Sequence, residues 1–195
     1  MLEDWSDERL MLAYRNGDAS AFEALYRRYR GSLHRYLAHQ CGSPAFAEEL
    51  YQDVWIKVVN ARADYEPLAK FSTWIFRIAH HRLIDHYRKT AHEVALRYES
   101  RPADDDFEAD SMIARQPAPP QETPHALYDR QITARRISQA LAELPAPQRE
   151  VFLLAEEGGL TLEEMAVATT SSRETCKSRL RYALGKLRHS LQDLL

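Results

Sequence analysis

The chain has 195 residues and a formal net charge of −3, and 45% of its residues are hydrophobic and 28% charged, a composition typical of a globular protein with one large domain or two small ones. Because no apolar run approaches the ~20 residues of a membrane span and the acidic start MLEDWSDERL is unlike a secretory signal, we expect a cytoplasmic protein that is not membrane-embedded. Two distant cysteines, Cys41 and Cys176, indicate reduced thiols and exclude a disulfide-stapled scaffold.

The charge is unevenly distributed along the chain. Residues 70–92 carry five Lys or Arg against one acid, and residues 172–189 carry six against one. Residues 93–134 between them carry four Lys or Arg against nine Asp or Glu. Two basic patches separated by an acidic middle suggest two surfaces for an anionic partner.

The first half of the chain predicts four helices, broken at Gly17, Gly42 and Pro67. Their expected ranges are 7–16, 20–40, 44–61 and 73–91. The expected caps are a Ser20–Glu23 capping box, Ser43 before Pro44, and Ser72.

The acidic middle predicts a linker. Residues 101–125 contain five of the nine prolines and a run of three aspartates, which oppose helix and strand formation. Four more helices are predicted beyond it, at 127–144, 147–157, 162–168 and 172–192. The expected architecture is therefore all-α, with small domains at 1–92 and 128–195 joined by a flexible acidic, Pro-rich linker at 93–127.

Residues 160–187 have the pattern of a helix-turn-helix. A capping box of Thr161 and Glu164 opens a short helix, a polar turn follows, and a second box of Ser171 and Glu174 opens a longer basic helix. The turn position Thr170 would have to avoid or strain into positive φ. The predicted core stripe of the second helix comprises Cys176, Leu180, Ala183, Leu184 and Leu187.

Residues outside that stripe are the candidates for binding DNA, because the second helix of this motif enters the major groove. They are Arg173, Glu174, Thr175, Lys177, Ser178, Arg181 and Tyr182.

The helix at 73–91 combines rings with cations. Arg77, His81 and Arg88 share one face at spacings of four and seven, whereas Phe71 and Trp74 stand at the helix start. Rings beside cations suit single-stranded nucleic acid, because bases stack on rings while cations hold phosphates.

Several stretches of the first half resemble region 2 of bacterial RNA polymerase sigma factors. They read FEALYRRYRGSLHRYLAHQCG, AEELYQDVWIKVVNA and KFSTWIFRIAHHRLIDHYRK. LAELPAPQREVFLLAEEGGLTLEEMAVA followed by TCKSRLRYALGKLR resembles region 4. The resemblance covers roughly 20–92 and 130–190 and is to the small extracytoplasmic-function (ECF) group.

The resemblance implies a factor that binds RNA polymerase core and directs promoter recognition, DNA melting and transcription initiation, and that is not itself an enzyme. It implies core docking on the clamp helices of the largest subunit by Glu49, Gln52, Asp53 and Trp55. It implies contacts to the proximal promoter element and the melted strand by Lys70, Phe71, Ser72, Thr73, Trp74, Arg77, His80, His81 and Arg88. The basic second helix would then contact the distal element, and an anti-sigma factor is an expected partner.

Two other classes of protein share some of these sequence features. An ordinary two-domain helix-turn-helix regulator would bind duplex operators without polymerase. A metalloenzyme would use the histidines near 34–41 or 80–86, but neither set has a zinc spacing. Without a P-loop, GxSxG or Rossmann glycine pattern, we expect no cofactor, metal or small-molecule substrate.

The length of the linker predicts how the free chain behaves. Thirty-five residues, 93–127, reach at most about 115–125 Å when extended and span ~30–35 Å as a random coil. Two DNA sites two helical turns apart are separated by roughly 70 Å. We therefore expect the free chain to keep its domains close together or at variable spacing, and polymerase to hold them apart.

Overall fold

The structure, a computed structural model, describes residues 2–98 and 124–194 of the chain. Every regular element within these residues is helical, which confirms the predicted all-α class. Eight α-helices are flanked by short 3-10 turns at Leu2–Asp4 and Gln192–Leu194. In chain order the helices are α1 Asp7–Arg15, α2 Ala19–Gln40, α3 Pro44–Asn60, α4 Phe71–Tyr98, α5 Pro124–Ala142, α6 Ala146–Glu156, α7 Leu162–Thr169 and α8 Arg173–Ser190.

Helices α4 and α5 extend beyond their predicted bounds into the segment assigned to the linker. Helix α4 continues to Tyr98 because the sequence between 92 and 101 has no Pro or Gly to end it. Helix α5 begins at Pro124, where proline is tolerated in a first turn. The rest of the predicted linker, residues 99–123, lies outside the described residues.

Two of the predicted caps are confirmed. The N–H of Thr161 donates to Glu164 Oε2 at 2.8 Å, and the N–H of Glu164 donates back to Thr161 Oγ1 at 3.3 Å. Ser43 is the N-cap of α3 with proline following it, although its side chain makes no capping hydrogen bond. The reciprocal box fixes the start of α7 within the helix-turn-helix.

Two other predicted capping boxes are wrong. Asp18, not Ser20, caps α2, and its carboxylate accepts a hydrogen bond from the N–H of Ser20 at 2.9 Å. Ser172, not Ser171, caps α8 and accepts from the N–H of Thr175 at 3.1 Å. In both places two capping-competent side chains lie close in sequence, so the pattern does not show which of them has the required extended backbone.

Helices α1–α4 form the first domain around a core that is rich in rings. Tyr36 and Phe76 pack edge to face with 5.3 Å between ring centroids, and both are fully buried. A second ring cluster joins α2 to α3 through Phe22, Tyr26 and Trp55. Such packing fixes the angle at which α4 crosses the bundle.

Helices α5–α8 form the second domain, in which α8 packs mainly on α6 and α7. The predicted stripe of α8 is buried at Cys176, Ala183 and Leu187. Leu184 is wrongly assigned to the core, because 44% of it is exposed. It lies about 80° around the helix from Cys176, at the margin of the buried face.

The second domain packs directly against the first. Helix α7 lies on α4, and α6 lies on α2. The buried apolar cluster runs without a break from Phe76 and Ala79 of α4 to Leu154 and Leu160 of the second domain. The two domains therefore share one continuous apolar core.

The start of α4 is capped by a side chain from α1. The N–H of Phe71 donates to Glu8 Oε1 at 2.8 Å. Ser72 was predicted as the cap of a helix that starts at residue 73. The helix instead begins at Phe71, so Ser72 lies inside its first turn. Burial raises the pKa of Glu8. Hydrogen bonds to its carboxylate from the backbone N–H of Phe71 and from its own backbone N–H outweigh this effect, so the pKa lies below its ordinary value of 4.5.

Replacing Glu8 should therefore destabilise the first domain in a pH-dependent way. Glu8→Ala leaves a half-buried N–H unpaired, and we expect a loss of about 1–2 kcal/mol in the free energy of unfolding at pH 7. A carboxylate with a lowered pKa stabilises the folded state above pH 4.5, and its contribution is lost as the pH falls through the lowered value. Urea unfolding followed by circular dichroism at pH 7 and pH 3.5 should show the difference from the wild type shrinking at the lower pH.

Glu3→Ala is the matched control, because Glu3 is an exposed acid in the turn before α1. We expect its effect to stay within about 0.5 kcal/mol at both pH values. Equal losses for Glu3→Ala and Glu8→Ala would show that Glu8 does not cap α4.

Candidate nucleic-acid interface

The start of α4 presents a half-buried indole beside an exposed cation. Trp74 packs edge to face on Tyr65, with 5.1 Å between centroids, and keeps part of its ring accessible. Lys70 is exposed, and its Nζ lies 2.9 Å from Glu164 Oε1 in the second domain. This pairing of ring and cation is the arrangement that the sequence predicted for holding an unpaired base.

Phe71 lies in the core beneath Trp74. It has no exposed surface, and its ring packs on Tyr29, Tyr65 and Trp74 at 5.1, 6.3 and 5.6 Å. Thr73 is also buried, with 3% exposure. A base could stack on Phe71 only if that ring left the core, so the contact predicted for Phe71 does not fit this arrangement.

The cationic face of α4 lies where the sequence predicted it. Arg77, His81 and Arg88 are exposed along one side of the helix. Burial lowers the pKa of His81 below its ordinary value of 6.5, and the neighbouring His80 and Arg77 lower it further. Near neutral pH His81 is therefore a hydrogen-bonding group on this face, and the two arginines carry the charge.

His80 is turned away from this face. It is 8% exposed, and its Nδ1 contacts Glu150 Oε1 on α6. In this arrangement His80 binds the second domain and cannot reach DNA.

The outer face of α3 carries part of the predicted docking set. Glu49 and Gln52 are exposed, and Asp53 pairs with Arg82 of α4. Trp55 is only 7% exposed and packs on Phe22. Its predicted contact with polymerase does not fit this burial, since its place on the helix directs the ring into the bundle.

Two exposed aliphatic side chains on α3 were not among the docking residues predicted from the sequence. Ile56 is 55% exposed and Val59 is 38% exposed. Ile56 follows Gln52 by four residues and Glu49 by seven, so all three share a face. That spacing could have identified Ile56 beforehand.

The helix-turn-helix is formed by α7, a tight turn and α8. Thr170 in the turn has φ 53° and ψ 39°, so of the two alternatives that the sequence left open it adopts the left-handed conformation. Its N–H donates to the carbonyl of Ala166, which closes the end of α7. A β-branched residue at positive φ is strained, and only the packed helices on both sides hold it there.

The predicted DNA-facing residues of α8 are mostly available. Lys177, Arg181 and Tyr182 are exposed, and the Arg181 guanidinium lies 5.1 Å from the centroid of the Tyr182 ring. Arg173 is exposed but bound by Glu163 of α7 and by Glu174. The remaining two, Thr175 and Ser178, are half-buried and joined by a hydrogen bond from Ser178 Oγ to the Thr175 carbonyl.

Residues 2–98 and 124–194 contain neither a candidate metal cluster nor a candidate membrane span. No three His, Cys, Asp or Glu side chains in these residues group closely enough to hold a metal ion. No helix within the same residues is long and apolar enough to cross a bilayer.

The sequence matches two family descriptions in order along the chain. Residues 25–93 match "Sigma-70 region 2", and residues 134–187 match "Sigma-70, region 4". The first match contains the cationic face of α4 and the outer face of α3, and the second contains the helix-turn-helix. Both basic surfaces of the molecule therefore lie in regions with a family likeness.

Individual relatives are similar over nearly their whole length. The chain is 31% identical over 190 residues to the ECF RNA polymerase sigma factor RpoE of Cereibacter sphaeroides, covering 96% of this chain and 95% of that protein. It is 30% identical over 175 residues to the ECF RNA polymerase sigma factor SigK of Mycolicibacterium vanbaalenii, covering 89% of this chain and 83% of that protein.

Two solved structures share the fold. One is the sigma factor RpoE from Bartonella quintana in complex with the anti-sigma factor NepR, with a TM-score of 0.66 at 22% identity, covering 88% of this chain and 96% of that one. The other is CnrH in complex with the cytosolic domain of CnrY, with a TM-score of 0.65 at 20% identity, covering 96% of this chain and 97% of that one. Both likenesses concern the arrangement of the helices.

The strained turn generates a stability prediction. Thr170→Gly should raise the free energy of unfolding of the second domain by about 1 kcal/mol, because glycine adopts positive φ without the clash of a β-carbon. Thr170→Ala is the control, since it removes the branch but keeps the β-carbon, and it should gain less. Thermal unfolding of the three chains measures this, and equal midpoints for the Gly and Ala variants would refute strain at Thr170.

Proposed function

This chain belongs to the ECF RNA polymerase sigma factors, the proteins that bind polymerase core and direct it to promoters, and we propose that its two domains divide that work. The first domain would dock on core, read the proximal element and hold the melted strand, and the second would read the distal element. The observation that carries this proposal is the exposed cationic face of α4 beside a half-buried indole, in a region-2 domain that is followed by a helix-turn-helix.

For the proximal element we assign direct contacts to Lys70, Ser72, Trp74, Arg77, His81 and Arg88, which all keep exposed surface. Trp74 would stack on an unpaired base while Arg77 and Arg88 hold phosphates. Phe71 and Thr73 would act as positioning residues, because they lie in the core under Trp74. His80 would join the contacts only if the second domain moved away from α4.

For core docking we propose the outer face of α3. Glu49 and Gln52 supply polar contacts, and Ile56 and Val59 supply apolar area that is exposed in the free chain. Exposed aliphatic side chains next to polar ones are typical of a protein interface. The partner would be the clamp helices of the largest polymerase subunit.

For the distal element we propose that Lys177, Arg181 and Tyr182 of α8 meet base edges and phosphates, with Thr175 and Ser178 behind them. Arg173 and Glu174 lie at the helix N-terminus, where phosphates are commonly bound. The turn at Thr170 sets the angle between α7 and α8 and hence how deeply α8 can enter the groove.

We also propose that an anti-sigma factor controls the protein, since both solved neighbours were captured with such partners. The setting would be the cytoplasm, where polymerase and promoter DNA are found. The protein itself would catalyse no reaction and hold no cofactor, and polymerase would perform the chemistry.

The docking proposal predicts a loss of core affinity without a loss of fold. Replacing Asp53 would leave Arg82 without its partner on α3, so Asp53 is not a suitable position for the test. Gln52→Ala with Ile56→Ala is sharper, because both side chains are exposed. We expect core from the source organism to bind this variant at least about tenfold more weakly, a change of about 1.4 kcal/mol.

Glu23→Ala with Arg27→Ala, on the exposed side of α2, is the control and should bind core normally. Circular dichroism checks that helicity is unchanged in both variants. Normal core affinity of the Gln52, Ile56 variant would remove the assignment of α3.

The division of labour predicts distinct defects at a promoter that the factor uses. Trp74→Ala should spare closed-complex formation and reduce permanganate reactivity of thymines near the start site, because the ring would hold an unpaired base. Lys177→Ala should instead weaken binding to the distal element, and so reduce closed-complex formation as well as opening. If it contacts a phosphate, the slope of log affinity against log salt should fall by about 1.

Lys186→Ala is the control for Lys177→Ala. It removes the same charge from the same helix, about 180° away around the axis. Equal effects of the two lysine variants, or unchanged permanganate reactivity in Trp74→Ala, would contradict the proposed contacts.

A further inference from the structure

Helix α1 contacts the loop between α3 and α4, residues 61–70, at two points. Near the beginning of the loop, the Arg62 guanidinium lies over the ring of Tyr14, 5.3 Å from its centroid. In the middle of the loop, the carbonyl of Tyr65 accepts a hydrogen bond from Arg15 Nη1 at 3.1 Å. Tyr14 and Arg15 are the last two residues of α1, so the end of this helix holds the first half of the loop.

The start of α4 provides a third contact with α1. The N–H of Trp74 donates to the carbonyl of Lys70 at 3.1 Å, so Lys70 is the residue from which the helix starts. An ammonium group has donors only, so Lys70 cannot cap the free N–H groups of the first turn with its own side chain. Glu8 of α1 supplies an acceptor instead, 2.8 Å from the N–H of Phe71. The start of α4 therefore depends on α1.

The side chains of the residues held in this way pack on Trp74. Tyr65 is 3% exposed, and its ring lies 5.1 Å from the Trp74 ring, edge to face. The ring of Phe71 lies 5.6 Å from the same indole and 6.3 Å from Tyr65. Trp74 thus rests on two rings whose backbones are each hydrogen-bonded to α1. Since a side chain is positioned by the packing beneath it, α1 determines where the exposed part of the indole lies.

The tip of the loop lies between these contacts. Residues 66–70 are all exposed, and Leu68 is 88% exposed. The N–H of Leu68 donates to the carbonyl of Glu66 at 2.8 Å, which makes a tight turn centred on Pro67. A loop tip with so little buried surface is among the most mobile parts of a folded chain. Contacts with α1 before and after the tip therefore limit where Lys70 can lie.

We propose that α1 is a positioning element for promoter opening: Glu8 and Arg15 hold the loop and the start of α4 so that Trp74 faces the melted strand. Neither residue has to touch DNA in this role, because each acts through a ring that packs on the indole. Holding these groups in place in the free chain lowers the entropy that is lost when the strand binds. The part of this proposal that concerns DNA rests on the proposed function, and the holding of the loop does not.

Hydrogen–deuterium exchange of the full chain, followed by mass spectrometry, tests whether α1 holds the loop. In Glu8→Ala and Arg15→Ala we expect the amides of residues 61–74 to exchange at least about threefold faster than in the wild type, because their local opening becomes easier. Glu8→Gln keeps an acceptor oxygen and Arg15→Lys keeps a donor, so both should stay within about twofold of the wild type. Glu3→Ala and Arg9→Ala are the controls for charge, since both residues are exposed and lie outside these contacts.

Permanganate reactivity of promoter thymines, in holoenzyme assembled with each variant, tests the effect on opening. At a temperature where circular dichroism shows every variant folded, Glu8→Ala and Arg15→Ala should each lower the reactivity per closed complex about fivefold, as expected for the loss of one charge-assisted hydrogen bond. The two substitutions change the net charge in opposite directions. An electrostatic effect on DNA would therefore separate them, whereas a shared loss that Glu8→Gln and Arg15→Lys rescue follows from the loop.

A double-mutant cycle with Trp74→Ala tests whether Glu8 acts through the indole. When Trp74 is already replaced, adding Glu8→Ala should lower the reactivity further by less than about twofold, because changes that act through one shared contact are not additive. Independent losses that multiply would mean that Glu8 acts elsewhere, and they would overturn the positioning role.

The outcomes separate the two proposals. Exchange at the wild-type rate in both alanine variants would overturn the holding of the loop by α1. Faster exchange with normal opening would overturn the positioning role and leave the proposed contact of Trp74 standing. Normal opening in Trp74→Ala alone would overturn that contact and the positioning role with it, but it would not alter the expected exchange.

Discussion

A buried carboxylate needs partners, and this requirement connects the two halves of the molecule. Glu150 lies on a short helix of the second domain, yet His80 and Tyr36 of the first domain both contact its Oε1. If the domains separated, the carboxylate would regain water, so opening does not leave a buried charge unpaired. If only one partner were removed with the domains still closed, the remaining charge would be strongly destabilising. The contact therefore depends on Glu150, His80 and Tyr36 being present together.

The sequence predicted the helices and the two basic surfaces well, because these depend on local patterns. The turn at Thr170 and the exposed face of Arg77, His81 and Arg88 follow from spacing alone. Burial across the bundle was harder to predict, since a ring at the start of an amphipathic helix can face the core or the solvent. Phe71 lies in the core because Glu8 fixes the start of α4 one residue before the predicted cap.

The seven-residue spacing of Glu150, Glu157 and Glu164 is visible in the sequence, but its meaning is not. The three residues lie on two different helices and the turn between them, so no single helix face contains them. Only the packing of α6 and α7 against α2 and α4 brings all three to the surface of the first domain. A net charge of −3 is compatible with two exposed basic surfaces, because some of the acids pair with basic groups within the molecule.

The exposure of the ion pairs between the two domains determines how much they stabilise the contact. Lys70 is 64% exposed and Arg35 is 41% exposed, and ion pairs of such exposed groups contribute about 0–1 kcal/mol each. The contacts around Glu150 offset the desolvation of its charge, and they add little to the net stability of the contact between the domains. Most of the net stability of the contact between the domains must then come from the buried apolar cluster that they share, which includes Phe76, Leu154 and Leu160.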